Sequence, residues 1–482
     1  MERGNHGVSR FCGGASMTPL TFIMIAVIAY GVLNSRGYGR ALAIGGSTSA
    51  GAFLTLGSTS VPTFYVVAIG GIILLGIHSL VFPREQALVP VRRVPGIPML
   101  VVFLAWSALV TLVSPLIFSG APVVSPTATH LIAGVITDSN VAQLVYLTIG
   151  IGVVVLLARA RFAGPEIIGL SLWLAIALSL WRYLHNNAGL PFPDRLFDNS
   201  PGFVYIETAV GGAVRFRGIF SEPSALAGVA IIAIAYGLSR AVHLRGLRKL
   251  GPLVLVGISL FLGLLSTSTT FLVAGVALIA IVSLTFGLGF LARRTRFSVG
   301  VTVLGCLLAI VAVWLLPAVG SFVSATLGEK VGTASYSERS GADSDSYRVF
   351  IDSWGIGVGL GAGRASSILP TLLSTTGLVG TLLFAGAILG VAARSFPLHR
   401  LRPVLWGLIA LFVVKLIAGP DPFDPTGLLW MSLGVLGHGI LAEDRLRRGD
   451  RIEGRRDTRP WKLRNGHKLE GTVEASTAKS QE

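Results

Sequence analysis

Apolar runs close to twenty residues long alternate with short polar stretches from residue 17 to residue 442. They fall at 17–34, 41–58, 62–82, 97–119, 139–158, 166–185, 223–241, 250–266, 270–291, 297–319, 365–391, 403–418 and 427–442. Each approaches the length an α-helix needs to cross a hydrocarbon core about 30 Å thick. The apolar positions surround each run and do not gather on one face, as they would on a helix half-exposed to water. The pattern predicts an all-α, polytopic transmembrane helical bundle of twelve or thirteen spans. The second run, rich in Gly, Ser and Thr, departs most from that pattern. Residues 1–16 read as a polar N-terminal segment and 17–442 as the transmembrane domain. The apolar stretch after Met17 carries no small-residue cleavage signature, so it reads as a first span and not as a removed signal peptide. No internal repeat is evident.

Charge gives this ladder a direction. Only 13% of the 482 residues are charged, about half the share in an ordinary soluble domain, yet the net charge is +16. Arg36 and Arg40, Arg84 with Arg92 and Arg93, and Arg159 with Arg161 occupy alternate loops. Arg240, Arg245, Arg248 and Lys249 follow, then Arg293, Arg294 and Arg296, then Arg394, Arg400 and Arg402. By the positive-inside rule these ends are cytoplasmic. The tail 443–482 is basic and poor in apolar residues, so it reads as a disordered cytoplasmic segment resting on anionic headgroups. The positive charge therefore reflects topology. No aromatic residues are interleaved with it, and no nucleic-acid partner is expected. Cys12 and Cys306 suggest neither a disulfide framework nor a thiolate metal site. Arginine outnumbering lysine, with abundant Ala and Gly, hints at a GC-rich bacterial genome.

The opposite face then holds two long extracytoplasmic loops, 186–222 and 320–364, with shorter ones at 120–138 and 419–426. Long loops on one face usually carry function. The first ends in "RFRGIFSEPSALAG", with Arg215, Arg217 and Glu222 immediately before Pro223. Proline favours the first helical position, which makes Glu222 the N-cap of a helix whose free N–H groups attract anions. Either the three charges form an anion site, or Glu222 caps the helix and pairs with an arginine. The second loop repeats the theme in "YRVFIDSWGIGVGLGAGRASS", with Arg348, Asp352 and Arg364 around a glycine run. That run is no dinucleotide-binding loop; its glycines allow close backbone approach, to a ligand or to a neighbouring helix. Arg217 and Gly228 stand in the same spacing as Arg348 and Gly359. Lys415 lies near the outer end of a span, where it is either functional or snorkelling. Asp421 and Asp424 in "GPDPFDPTG" either bind sugar hydroxyls or cap the next helix. Asp343 and Asp345 suggest a cation site only weakly, and no cluster has metal spacing, so no metal and no cofactor are expected.

"RFRGIFSEPSALAG", "GIGVGLGAGRASSILPTLLSTTGLVGTLLF" and "LLSTSTTFLVAG" resemble the O-antigen polymerase and O-antigen ligase superfamily of bacterial membrane glycosyltransferases. The resemblance covers roughly residues 100–440 and is sharpest at 215–228 and 348–380. It implies a GT-C-like bundle acting on polyprenyl-diphosphate-linked oligosaccharides at the outer leaflet of the cytoplasmic membrane. Polymerase members carry an arginine–ten residues–glycine pattern in each large loop, which maps onto Arg217/Gly228 and Arg348/Gly359. Ligases are associated with a histidine in the second loop, and 320–364 contains none, which favours a polymerase.

On that reading Arg217 and Arg348, with Arg215, Arg339 and Arg364, stabilise the departing diphosphate. Glu222 is the first candidate for the general base that deprotonates the acceptor hydroxyl, and Asp352 the second. A carboxylate among cations keeps a low pKa and is a weaker base, so Glu222 also reads as an arginine orienter. The expected partners are the lipid-linked oligosaccharide, the bilayer and a chain-length regulator. The competing functions are a ligase that transfers the glycan to another acceptor, and a flippase for lipid-linked glycans.

Overall fold

The computed structural model describes residues 16–34, 37–56, 59–81, 90–124, 130–160, 163–201, 205, 215–293 and 334–457. The chain divides into two compact units, Met1–Leu441 and Ala442–Glu482.

The first unit is mostly helical. It opens with strand β1 (Ser16–Met17), helices α1 (Pro19–Leu33) and α2 (Tyr38–Ser47), and strands β2 (Ala52–Leu56) and β3 (Thr59–Pro62). Then follow α3 (Thr63–Val81), α4 (Ile97–Ile117), α5 (Asp138–Arg159), α6 (Pro165–Ala188), the single turn α7 (Asp194–Phe197) and α8 (Pro223–His243). The rest is α9 (Leu250–Leu265), α10 (Thr269–Arg293), α11 (Ala334–Asp352), α12 (Ile368–Ser395), α13 (Arg402–Ile417) and α14 (Leu428–Asp457). Six helices are long and apolar enough to cross a membrane: α4, α5, α6, α8, α12 and the stretch Gly246–Leu265. Pro19–Leu33, Thr63–Ile77 and Thr269–Thr285 are shorter apolar helices. These features suggest a membrane protein.

Two expectations change. The run 41–58 is not one span: α2 has only ten residues, about 15 Å of helix, and the chain then turns into the β2–β3 hairpin. Ser47 Oγ donates to the Ile44 carbonyl at 2.7 Å, and the Thr48 and Thr63 hydroxyls lie 3.0 Å apart, so side chains replace the helix ladder there. The strands pair antiparallel in the order β1–β2–β3, with Ser16 opposite Thr55 and Leu56 opposite Thr59. The second change concerns the loop read at 320–364, which contains the polar helix α11. The run 297–319 lies outside the described residues.

In the second unit helix continues as far as Asp457, where the sequence suggested a disordered tail from 443. Arg447 Nε stands 3.1 Å from Glu443, one helical turn away, a pairing that supports an exposed helix slightly. Residues 458–482 lie outside the described residues.

Helix α8 is the hub of the first unit. Two-thirds of its apolar window is buried, more than in any other of the six, and it packs chiefly on α9 and α13. Close approach to α13 depends on Gly228: a Cβ there would stand 2.8 Å from the Val414 methyl. Small residues at such crossings let helices pack where lipid gives no hydrophobic drive.

The glycine run packs inside the protein. Gly355, Gly357, Gly359 and Gly361 all have positive φ, and the segment threads into a break in α12 at Gly377 (φ 68°, ψ −171°). Interrupting a helix frees backbone groups, and in apolar surroundings each must find a partner. Val358 N donates to the Ser374 carbonyl at 2.8 Å and Gly359 N to Thr375 at 2.9 Å. Leu378 N donates to Gly355 at 2.9 Å, and Trp106 Nε1 reaches the Thr376 carbonyl at 2.8 Å. From α4, Ser114 Oγ donates to the Gly357 carbonyl at 2.8 Å and Thr111 Oγ1 accepts from Leu360 N at 3.0 Å. A Cβ at Gly359 would lie 2.9 Å from the Thr111 Cα, so that residue allows a neighbouring helix, not a ligand, to approach.

Candidate functional site

At one end of the bundle the mouths of α8, α12 and α14 meet the end of α13 around a cavity of about 420 Å³. Its walls include Phe220, Val229, Ile232 and Leu411, with hydroxyls from Ser49, Ser224, Ser366 and Thr426. Five charged residues line it: Glu222, Asp421, Asp424, Arg364 and Lys415. It lies at the start of α8, the end opposite Arg240 and His243 in that helix's last turn.

Each charge is held differently. Glu222 is the residue before α8 with extended backbone (φ −136°, ψ 150°), but its carboxylate makes no cap bond to the helix. Its Oε2 accepts instead from Ser224 Oγ at 2.9 Å. Pro223 at the first helical position fixes this geometry. Arg364 is exposed on the rim, 4.0 Å from Asp421, a pairing that contributes little in water. Its backbone N–H is anchored on the Val124 carbonyl at 2.7 Å.

Lys415 and Asp424 form the buried pair, with side chains 8% and 5% exposed and Nζ 3.9 Å from Oδ1. Nζ donates to the Asp421 carbonyl at 2.7 Å. Asp424 sits at positive φ (51°) and caps α14, its Oδ2 accepting from Leu429 N at 2.9 Å and its Oδ1 from Thr426 Oγ1 at 2.7 Å. The connecting loop is pinned through the Phe423 carbonyl, which accepts from Tyr65 Oη at 3.0 Å and from the fully buried Trp430 indole at 2.6 Å. Lys415 is therefore tied down inside the protein and does not snorkel.

Arg217 belongs to a second cluster. Its guanidinium, 4% exposed, grips Asp198 with two bonds, 3.0 Å to Oδ1 and 2.5 Å to Oδ2. It also donates to the Phe220 carbonyl at 2.8 Å and lies 4.8 Å from the Tyr205 ring centre. Arg182 grips the same carboxylate at 3.0 and 2.8 Å and reaches Asp194 at 3.1 Å. Burial pushes the Asp198 carboxyl up, but its bonds to Arg217 and Arg182 outweigh that and hold it below the usual carboxylate value. Burial raises the Tyr205 phenol. This cluster ties the end of α6 to the segment leading into α8.

The residues singled out in the sequence thus part company. Glu222 and Arg364 line the cavity, and so does Gly228. Arg217 shapes its wall through Phe220 without lining it, and Arg215 is partly buried two residues earlier. Arg348 and Asp352 are exposed on α11 and do not line the cavity. Gly359 is buried against α4. Arg339 lies within α11, and its side chain is outside the described residues. Asp343 is a cap: it accepts from the N–H groups of Ser366 and Ser367 at 2.7 and 3.2 Å, at the mouth of α12. Asp198 carried no signal of its own in the sequence, although Arg182 ends the run 166–185 at its outer interface, where it reads equally as an anchor.

Among the described residues no group of three or more His, Cys, Asp or Glu could hold a metal ion. No family model matches the chain, and no curated protein matches it.

Proposed function

We propose that the chain is a glycosyltransferase of the bacterial cytoplasmic membrane. It polymerises polyprenyl-diphosphate-linked oligosaccharides into a surface or secreted polysaccharide at the outer leaflet, with its C-terminus in the cytoplasm. The observation that carries this reading is the cavity at the mouth of α8, lined by the Glu222 carboxylate, which makes no cap bond to that helix, by the buried Lys415 and by Arg364 on the rim. The alternation of cationic ends along the sequence supports an extracytoplasmic position for that mouth.

In the reaction Glu222 accepts the proton of an acceptor sugar hydroxyl. The hydroxyl oxygen attacks the anomeric carbon of the donor as the bond from that carbon to the diphosphate oxygen breaks. The diphosphate leaves with the bonding electron pair, and cations stabilise its growing charge. Arg364 stands on the rim for that role, and the exposed Arg348 remains available to it. Arg217 acts as a positioning residue through Phe220. The bilayer presents the lipid carrier, and a chain-length regulator fits the same scheme as a partner.

The test uses purified protein in nanodiscs with a polyprenyl-diphosphate-linked oligosaccharide, following product length on a gel. Wild type is expected to give a ladder. Glu222→Gln is expected to lose it by at least about a hundredfold, within the range of general-base effects, with an unchanged melting temperature. A ladder undiminished in E222Q removes Glu222 from the mechanism. Transfer of one unit to an added acceptor makes the chain a ligase, and lipid movement across vesicles without product makes it a transporter.

A further inference from the structure

Among the described residues Lys415 holds one donor bond where its chemistry offers three. An ammonium carries three N–H groups and has no acceptor capacity. One N–H meets the Asp421 carbonyl at 2.7 Å. Asp424 Oδ1, at 3.9 Å, contributes charge but lies beyond hydrogen-bond reach, and its carboxylate is engaged by Thr426 and Leu429. Among the described residues no acceptor meets the other two N–H groups, although the side chain is more than nine-tenths buried and lines the cavity. Buried donors rarely remain without partners unless a ligand or water supplies them.

The lining also selects by charge. Glu222, Asp421 and Asp424 set three carboxylates against Arg364 and Lys415, a net charge of −1. A diphosphate entering here meets more like charge than opposite charge, at reduced dielectric. A sugar hydroxyl donates and accepts at once. Carboxylates take its proton side, an ammonium its oxygen side, and Phe220, Ile232 and Leu411 offer apolar surface to the ring C–H faces.

We propose that this cavity is the acceptor subsite. It takes the hydroxyl-rich end of a glycan, with Lys415 donating to glycan oxygens, and it excludes the lipid diphosphate, which docks outside it. This rests on the glycosyltransferase reading and adds a residue that positions the attacking hydroxyl beside Glu222.

The experiment compares two probes on the full chain in detergent by saturation-transfer NMR. One is the oligosaccharide released by mild acid from the cell's own lipid-linked pool, and the other is farnesyl diphosphate. Lys415→Met is paired with the double variant K415M/D424N, which leaves no buried charge uncompensated, and Asn still caps a helix. Glycan affinity is expected to fall about tenfold in both variants, as for a lost bond from a charged donor, with farnesyl diphosphate binding unchanged. Unchanged glycan affinity in the double variant, no glycan binding by wild type, or a loss confined to farnesyl diphosphate overturns the inference. The last outcome makes the cavity an anion site. Lys415-dependent glycan binding without any polymer sinks the polymerase reading alone, and polymer formation with Lys415-independent binding sinks this inference alone.

Discussion

Two clusters of buried charge lie near the same helix mouth, and they differ in what their donors meet. In the Arg182–Asp198–Arg217 cluster both guanidiniums bind one carboxylate through paired bonds, and Arg217 adds a backbone carbonyl and an aromatic face. In the Lys415–Asp424 cluster the ammonium makes one bond among the described residues and lines a cavity. The cations of both are more than nine-tenths buried. Burial alone therefore does not separate a structural charge from a ligand-binding one. The count of satisfied donors does, and by it the first cluster reads as scaffold and the second as part of the proposed site.

The largest expected effect tests that assignment directly. Asp198→Ala leaves two buried guanidiniums without their shared carboxylate and is expected to cost about 3–5 kcal/mol, read as a large fall in melting temperature or a failure to accumulate. K415M/D424N removes its pair in full and is expected to be close to neutral, because replacing a buried pair often costs nothing. If the double variant falls as far as D198A, both clusters are scaffold and the distinction fails.

Next in size is the contrast within the glycine run. Gly359→Ala forces a side chain into positive φ (98°) with its Cβ 2.9 Å from the Thr111 backbone, and a loss of at least about 1–3 kcal/mol is expected. Gly363→Ala meets nothing nearer than 3.7 Å and is expected to leave the melting temperature nearly unchanged. Equal losses would mean that the run is held by something other than its fit into the α12 break.

These contrasts also mark what the sequence could convey. Run length announced where apolar helices lie, because crossing a bilayer requires consecutive apolar residues whatever packs beside them, but among the described residues six helices are long and apolar enough to cross, fewer than the twelve or thirteen spans the runs suggest. It failed at 41–58, where Ser47, Thr48 and the hairpin take over the backbone bonding of what reads as a continuous apolar run. Pro223 revealed the position of Glu222, since a proline at the first helical position is a local matter. The partner of Arg217 was not legible: Asp198 lies nineteen residues away in an unpatterned loop, and only the fold brings them together. The two readings of the glycine run could not be parted either, because the α12 break that receives it sits at Gly377, inside an apolar stretch. Asp424 caps the next helix in the chain, one of the two roles its position offered, whereas the capping work of Asp343 depends on a helix mouth more than twenty residues away.

A smaller effect follows from acidity. Arg217 and Arg182 hold the folded Asp198 carboxyl below its unfolded value of about 3.9. The stability this contributes is fully present above the unfolded value and is lost as pH falls through the folded one. Melting temperature measured between pH 7 and pH 3 is therefore expected to drop at the acid end in wild type. Asp198→Asn, starting lower, is expected to lack that part of the drop. Parallel curves for the two proteins would mean that Asp198 does not carry the acid sensitivity.

The smallest structural effect belongs to the residue where sequence and geometry agree least. Arg348 stands in the polymerase-like spacing with Gly359, yet it is exposed on α11, and among the described residues it makes no ion pair. Arg348→Ala is expected to change stability by less than about 0.5 kcal/mol, as for surface positions in general, so any effect on polymer length reports on function cleanly. A lost ladder with intact glycan binding would give Arg348 a diphosphate role outside the cavity, the division that the net negative lining requires. An unchanged ladder would leave Arg364 as the rim cation to test. It would also mean that the shared arginine–glycine spacing marks two packing glycines, Gly228 against Val414 and Gly359 against Thr111, more than it marks two binding arginines.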